Sequence, residues 1–300
     1  MSIAPGIYDN LPADDYHADE AIGHSDCVTL MDECPAHWLY KSTHPESPKR
    51  EFDIGNACHT MLLEPDQFAD KFMVLPATYT DRKTGEVKPL RTYQTGLAQD
   101  LRDQARIQGM IPLLTHEYDE VADMSFSVQK NELAKMALSD GKAERSYFWL
   151  DKETGLMRKC RPDFVKIDQH GPPAVAVNFK TAISAHPDQI SRAAWNNHWW
   201  SSQWYTIEGM KACGVDVSEY LYIVVEKDAP HLTAIYRLPE RMIEMGAIWT
   251  RKALATFVEC QQSGVFPGYS DSIIDLEAPR WAEVQFDEDH VAGKYALREA

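Results

Sequence analysis

The chain has 300 residues, of which 44% are hydrophobic and 25% are charged, and these ordinary proportions exclude a disordered, collagen-like or coiled-coil protein. Its 30 basic and 46 acidic side chains give a formal net charge of −16, which argues against a protein that coats nucleic acid nonspecifically but allows an enzyme that admits DNA through a local basic groove. No apolar run approaches the ~18–20 residues of a membrane helix, no signal pattern opens the sequence, and the six cysteines lack a C-x-x-C pair, so we expect a soluble cytoplasmic protein forming a single domain over residues 1–300.

The first part of the chain predicts short elements. Prolines recur through residues 1–50, so we expect this segment to be irregular apart from a short helix around Ser25–Tyr40. Gly55–Glu64 predicts a helix that Pro65 ends. His59 shares the apolar face of this helix with two leucines that follow three and four residues later.

A polar stretch and a helix follow. Asp81–Arg91 is hydrophilic throughout, which predicts a mobile loop. Its basic side chains are candidates for contacts with DNA phosphates, although a solvated loop is the alternative. They are Arg82, Lys83, Lys88 and Arg91. Thr115 then predicts the cap of a helix that extends to about Ser139.

The middle of the chain changes to the period of strands. Five segments predict strands: Arg145–Leu150, Leu156–Ile167, Ala174–Thr181, Tyr220–Glu226 and Leu232–Leu238. The third is strongly apolar, which predicts the central position in the sheet. Helices are predicted over residues 187–213 and from Pro239 to Ser263. This order predicts an α/β fold with a mixed central sheet of about five strands, over residues 143–238, flanked by helices.

Five side chains of complementary chemistry converge in this arrangement. Asn178 and Lys180 are two residues apart in the third strand and point to one face, and a hairpin brings Asp163 beside them. His59 comes from the early helix, and Glu144 precedes the first strand. Neighbouring carboxylates suit Mg²⁺, and a lysine can orient an attacking water. A solvated acid and a satisfied core histidine are the alternative readings of Glu144 and His59.

Ordered sequence blocks resemble the RecB/RecE branch of the PD-(D/E)XK nucleases, and within it the nuclease domain of the RecE family. The order is G-x-x-x-H ending at His59, R-P-D ending at Asp163 and x-x-K ending at Lys180. The resemblance covers six blocks between Pro5 and Ala282: PGIYDNLPADDYHAD, GNACHTMLLEP, AERSYFW, KCRPDFV, YLYIVVEKDAP and APRWA.

The resemblance implies a PD-(D/E)XK exonuclease that digests double-stranded DNA ends 5′→3′ and leaves 3′ single strands for recombination. It implies Mg²⁺, with Mn²⁺ as a substitute, a ring-shaped homo-oligomer with a tetramer favoured, a RecT-like annealing partner, and a bacterial or phage-encoded cytoplasmic protein. His59 and Asp163 correspond to metal ligands, Glu144 to the carboxylate that helps place metal or water, and Lys180 to the catalytic lysine. Some RecB-like nucleases carry an iron–sulfur cluster, but only two cysteines follow Lys180, so none is expected here.

One departure from the family pattern affects the metal site itself. Asn178 stands where the family has Asp or Glu, two residues before the lysine. An amide resembles aspartate in shape but has no charge, so it binds Mg²⁺ poorly. We therefore expect this chain to be inactive or strongly impaired. Because the surrounding blocks are intact, we favour an engineered inactivating substitution over natural loss of catalysis.

A second departure concerns DNA contacts. The family has Gln-x-x-x-Tyr in the later helix, where this chain has Ser201 and Tyr205. Tyr205 and Arg161 are candidate DNA-binding residues, although Arg161 could instead hold a neighbouring carboxylate.

Three functions remain open at this point. The first is a RecE-like exonuclease disabled by an amide. The second is a naturally non-catalytic DNA-end-binding subunit, and the third is a RecB-like endonuclease.

Overall fold

The computed structural model describes residues 2–44, 53–81, 84–167 and 173–295. Its helices are α1 (Ala13–Ala18), α2 (His24–Val28), α3 (Pro35–Thr43), α4 (Asp53–Leu63), α5 (Phe68–Lys71), α6 (Gly96–Ile107), α7 (Thr115–Lys130), α8 (Glu132–Ala137), α9 (Pro187–Asn196), α10 (Trp199–Ala212), α11 (Glu240–Ser263) and α12 (Arg280–Val291). Its strands are β1 (Gly6–Tyr8), β2 (Phe72–Val74), β3 (Thr78–Thr80), β4 (Val87–Pro89), β5 (Ile111–Leu113), β6 (Gly141–Ala143), β7 (Ser146–Leu150), β8 (Met157–Cys160), β9 (Phe164–Lys166), β10 (Ala174–Ala182), β11 (Val217–Glu226) and β12 (Thr233–Tyr236).

A mixed five-stranded sheet forms the centre of the fold, in the order β12-β11-β10-β9-β6. Only β10 and β11 are parallel; the other neighbours are antiparallel. Strand β10 is the middle strand, and its alternating side chains enter two cores. Ala174 and Ala176 lie in one hydrophobic cluster and Val177 and Phe179 in the other. The predicted mixed sheet of about five strands, and the central place of its most apolar segment, are confirmed.

The strand predicted over Leu156–Ile167 is wrong as one element. It is two strands, β8 and β9, and they belong to different sheets. Strand β8 joins β1 and β7 in a separate three-stranded sheet, so β7 is not part of the central sheet predicted over residues 143–238. The break falls at Arg161-Pro162-Asp163, where proline has no N–H to continue a ladder.

The helix predicted over residues 187–213 is also divided. It breaks at Asn197 and His198 into α9 and α10, and His198 adopts a left-handed backbone with φ 55°. The helix predicted from Thr115 to Ser139 likewise ends at Lys130. There Asn131 accepts hydrogen bonds from the first N–H groups of α8, so its side chain starts a new helix instead of extending α7.

The N-terminal segment is more regular than its prolines predict. Residues 2–44 contain α1, α2 and α3 as well as β1, and the predicted helix around Ser25–Tyr40 is divided at Cys34 and Pro35. Lys159 of β8 donates to the carbonyls of Tyr16 and Asp19, at 2.7 Å each. These hydrogen bonds hold the N-terminal segment against the three-stranded sheet, next to the break between β8 and β9.

No helix among the described residues is long and apolar enough to cross a membrane. The longest, α11, has 24 residues and carries charged side chains along its length. It packs closely on α10: a Cβ on Gly246 would lie 2.4 Å from the carbonyl oxygen of Trp200 and 2.9 Å from the Cα of Ser201. The serine that replaces the family glutamine thus lies in a tight contact between helices.

We expect His24, which contacts Ser201 in the α10–α11 interface, to make the free energy of unfolding decrease at low pH. Its Nε2 lies 2.8 Å from Ser201 Oγ, and burial, helped by His198, lowers its pKa to about 3. The unfolded chain therefore binds one more proton than the folded chain between about pH 6.5 and pH 3. The free energy of unfolding should fall with decreasing pH through that window, by up to about 1.4 kcal/mol per pH unit from this residue. Urea titrations of His24→Asn should show a shallower pH slope, whereas the same substitution at the exposed His116 should leave the slope unchanged.

Candidate metal centre

The ends of three adjacent strands bring three polar residues side by side. Strands β9 and β10 pair as far as Phe164 and Val177, one residue short of Asp163 and Asn178, so these two face each other where the ladder ends. On the other side of β9, the Glu144 N–H donates to the Asp163 carbonyl at 3.1 Å. Glu144 has a left-handed backbone with φ 50°, which costs free energy for a residue other than glycine and turns the chain from β6 toward β7.

Helix α4 adds an imidazole to this row. The Nε2 of His59 lies 3.2 Å from Glu144 Oε1 and 3.7 Å from Asp163 Oδ1. One donor atom from each of these three residues lies within 4.8 Å of the other two. In the part of the chain that the structure describes, this is the one group of three or more such side chains. An imidazole nitrogen and two carboxylate oxygens are a donor set that fits a divalent cation.

The charges of the centre are strongly coupled. Burial alone would raise the pKa of Asp163, but Lys180, His59 and the backbone N–H of Phe179 lower it to about 2. Burial would lower the pKa of His59, but Asp163 and Glu144 outweigh burial and raise it to about 10. His59 is therefore protonated at neutral pH and lies as an imidazolium between the side chains of Asp163 and Glu144. Loading a cation there requires that His59 release its proton.

Asn178 and Lys180 lie on one face of β10, as the sequence predicts. Asn178 Oδ1 accepts from the Asp163 N–H at 3.4 Å, and Lys180 Nζ lies 3.7 Å from Asp163 Oδ2. The lysine side chain is 34% exposed, so its ammonium group can reach both the carboxylate and a molecule entering from solvent. Asn178 contributes an uncharged oxygen at the position next to Asp163.

Arg161 contacts a carboxylate of the centre. Its side chain is only 7% exposed, and Nη1 lies 3.6 Å from Glu144 Oε2. The other nitrogens of the guanidinium donate hydrogen bonds within the protein: Nε donates to Ser146 Oγ at 2.7 Å and Nη2 to the Leu11 carbonyl at 3.0 Å. The guanidinium carbon lies 4.0 Å from the centre of the Tyr16 ring. Of the two readings of Arg161, the structure shows the contact with a carboxylate, so the residue positions Glu144, and its contact with DNA stays a prediction.

Weakening this support should loosen the metal site. Partners of ligand side chains typically change metal affinity 10- to 100-fold when they are mutated, so we expect Arg161→Leu to weaken Mn²⁺ binding about 10-fold in calorimetric titration. Arg145→Leu is the matched control, because Arg145 adjoins Glu144 in sequence but its guanidinium binds Asp9 at 2.6 Å and 3.0 Å. Equal losses in both variants would contradict a specific role of Arg161.

Tyr205 lies in the core of the protein. It is fully buried, its hydroxyl donates to the Ile22 carbonyl, and its ring lies 4.3 Å from the Arg158 guanidinium. This burial argues against the predicted contact of Tyr205 with DNA, because this face of α10 packs into the core.

The predicted basic loop is in part a hairpin. Strands β3 and β4 pair across it, and Lys88 Nζ lies 2.7 Å from Asp81 Oδ2 and 3.7 Å from Glu86 Oε2. The carboxylates hold this lysine in the hairpin, whereas Arg91 is exposed. Arg82 and Lys83 lie outside the described residues. Phosphate binding by Lys88 and Arg91 stays a prediction.

Comparisons with known proteins identify the family and the fold of the chain. Residues 25–277 match the family described as "PDDEXK-like domain of unknown function (DUF3799)". No curated protein sequence matches the chain.

Among solved structures, the chain is similar to a protein of Eubacterium rectale named "Putative exonuclease", with a TM-score of 0.57 and 8% identity over 92% of this chain and 98% of that one. Similarity at this identity shows the fold alone, and it confirms the expected fold. A second structure, SSO0001, has a TM-score of 0.27 and 14% identity over 53% of this chain and 68% of its own, which is too low to carry an argument. PDDEXK nucleases typically use divalent metals, and the cluster of His59, Glu144 and Asp163 is of that kind.

Proposed function

The chain belongs to the PDDEXK-like family DUF3799, and from this premise we propose that it is a RecE-like exonuclease that digests double-stranded DNA from its ends. The proposed polarity is 5′→3′, with 3′ single strands as the product for recombination. We further propose that Asn178 makes this chain inactive or strongly impaired.

The observation that carries the proposal is the cluster of His59, from helix α4, with Glu144 and Asp163, which lie at the ends of neighbouring strands. We propose that these residues hold Mg²⁺, with Mn²⁺ as a substitute, because hard cations prefer carboxylate oxygens. Such an ion, when bound, supplies Lewis-acid stabilisation of charge on the phosphate. Arg161 keeps Glu144 turned toward the cluster.

Lys180 is the proposed catalytic residue. Its ammonium group is partly exposed beside Asp163, where it can orient a water molecule and offset negative charge that develops on the phosphate. Asp163 is fixed by the Phe179 N–H at 2.6 Å, so the lysine has a stable carboxylate partner. The position of Lys180 lets it orient the attacking water, and its charge stabilises the phosphate in the same hydrolytic step.

The proposed partners follow from the same function. We propose a homo-oligomeric ring, with a tetramer favoured, and a RecT-like annealing protein that receives the 3′ strand. A ring holds DNA topologically, so it needs only a modest basic lining in a chain with a net charge of −16.

A second candidate is favoured by Asn178 itself. An amide next to Asp163 in an otherwise intact centre is also what a naturally non-catalytic DNA-end-binding subunit would have. Both candidates predict recognition of DNA ends, and they differ in whether restoring the carboxylate restores hydrolysis.

Binding to ends is the first test. We expect this chain to bind a short duplex with open ends at least about 10-fold more tightly than the same duplex closed by hairpin loops, a difference of about 1.4 kcal/mol. Fluorescence anisotropy at a fixed salt concentration measures both affinities. Equal binding to the open and closed duplexes would favour an endonuclease and contradict the proposal.

A further inference from the structure

The beginning of the chain lies against the strands that lead into the metal centre. Strand β1 pairs with β7, and the helix α1 that follows is tied to β8 by hydrogen bonds from Lys159. Between these two elements, the Leu11 carbonyl accepts a hydrogen bond from Arg161. Residues 6–19, which we call the N-terminal strap, thus contact the arginine that positions Glu144.

Tyr16 of the strap brings an aromatic ring to this arginine. The centre of the ring lies 4.0 Å from the guanidinium carbon of Arg161 and 5.0 Å from Lys159 Nζ. Both distances are within the ~6 Å at which the face of an aromatic ring attracts a cation. An edge contact with Phe148, with ring centroids 5.9 Å apart, supports the ring from another side. One aromatic side chain therefore joins the strap to two cations.

Lys159 and Arg161 repel each other, and the ring of Tyr16 offsets part of that repulsion. Burial lowers the pKa of Lys159, and the charge of Arg161 lowers it further, against the opposite effect of Asp19 and Asp26. Both basic side chains are only 7% exposed, so water screens their repulsion weakly. The electron-rich face of Tyr16 attracts both cations. Without the ring, we expect the Arg161 guanidinium to move away from Lys159 and toward solvent.

Such a movement would reach the metal centre through Glu144. Arg161 Nη1 lies 3.6 Å from Glu144 Oε2, and the other oxygen of that carboxylate, Oε1, lies 3.2 Å from His59 Nε2. An arginine side chain has about 2 kcal/mol of rotamer entropy, so its guanidinium is well placed only where its neighbours restrict it. A ring that restricts Arg161 therefore also restricts the carboxylate that Arg161 contacts.

We propose that Tyr16 is a positioning residue of the metal centre: its ring holds the Arg161 guanidinium toward Glu144 and thereby sets the affinity of the centre for a divalent cation. The inference rests on the metal site of the proposed function. It gives a role to the strap, which lies outside the residues 25–277 that match the family. Because coupling between two binding events is reciprocal, a bound cation in turn stabilises the contact of the strap with β8.

The first test compares two substitutions of the same residue. Tyr16→Leu removes the ring, and we expect Mn²⁺ to bind about 10-fold more weakly in calorimetric titration, as is typical for a partner of a ligand side chain. Tyr16→Phe keeps the ring and should bind Mn²⁺ as tightly as the unchanged chain. Tyr8→Leu is the matched control, because Tyr8 belongs to the same strap and makes a similar edge contact with Phe148 at 5.7 Å. It should leave the affinity unchanged.

A combined variant shows whether Tyr16 acts through Arg161. In the Arg161→Leu background, we expect Tyr16→Leu to have no further effect on Mn²⁺ affinity, because substitutions that remove the same contact are not additive. A tyrosine that only stabilises the fold would lower the affinity by the same factor in both backgrounds, and that result would overturn the proposal.

Hydrogen exchange measures the reciprocal effect. Saturating Mn²⁺ should slow amide exchange in residues 6–19 of the unchanged chain and leave the exchange of the exposed helix α12 unaltered. Equal Mn²⁺ affinity in Tyr16→Leu and the unchanged chain, an equal loss in Tyr16→Phe or Tyr8→Leu, or strap exchange that Mn²⁺ does not slow would overturn the proposal. Circular dichroism confirms that the variants are folded. An unchanged chain that binds no Mn²⁺ would overturn the metal site as well, whereas no readout here is hydrolysis, so a failure of the exonuclease assignment is separate.

Discussion

Asn178→Asp is expected to raise the rate of Mg²⁺-dependent digestion of linear duplex DNA by at least about 100-fold, the scale on which single electrostatic groups in active sites act. Asn178 faces Asp163 at the end of the β9–β10 ladder, so an aspartate there adds a third carboxylate to those of Asp163 and Glu144. The added charge draws a cation into the cluster. The backbone need not change, because aspartate and asparagine have the same shape.

The measurement compares the two chains on linear and closed circular duplexes in the presence of Mg²⁺. We expect the variant to shorten linear DNA, to leave growing 3′ tails and to spare closed circles. Asp163→Asn in the Asn178→Asp background is the control, since it keeps the number of carboxylates of the present chain and should be inactive. Strong digestion by the unchanged chain would show that Asn178 is not disabling. A variant that gains Mn²⁺ affinity but no hydrolysis would favour the non-catalytic end-binding subunit.

The parts of the fold that the sequence predicts well are those with strong local patterns. Strand β10 alternates side chains between two apolar clusters, and α11 follows its predicted bounds from Pro239 to Ser263 to within one residue. The errors lie where a side chain acts on the backbone. Asn131 caps α8 in the middle of an apparently continuous helix, and Pro162 divides one apparent strand between two sheets.

The candidate site also has parts that the sequence predicts and parts that it does not. Residue types and spacing were sufficient to group His59, Glu144, Asp163 and Lys180. Strand alternation places Lys180 on the face of Asn178, a hairpin brings Asp163 beside it, and the ordered motifs add His59 and Glu144. The sequence left open whether Arg161 holds a phosphate or a neighbouring carboxylate, because its orientation toward Glu144 depends on the Leu11 carbonyl and Ser146, which lie far apart in sequence. The burial of Tyr205 likewise depends on how α10 packs against a segment almost two hundred residues earlier, and no local pattern reports that.

Lys180→Met should have the largest negative effect in the Asn178→Asp background, reducing kcat by about 1,000-fold, within the range of general acid–base catalysis. Methionine keeps the apolar stem but removes the ammonium group that lies 3.7 Å from Asp163 Oδ2. That ammonium group also lowers the pKa of Asp163, and it competes with a metal cation for the carboxylate. We therefore expect Mn²⁺ affinity to be retained or increased while hydrolysis is lost.

These opposite changes distinguish a catalytic lysine from a structural one. Single-turnover rates at saturating metal report the chemical step, and calorimetric titration with Mn²⁺ reports the affinity. Lys211→Met is the matched control, because Lys211 is exposed on α10 and should change neither quantity. If Lys180→Met instead loses hydrolysis only in proportion to a loss of metal affinity, the lysine serves the metal site and the nucleophile must be oriented by another group.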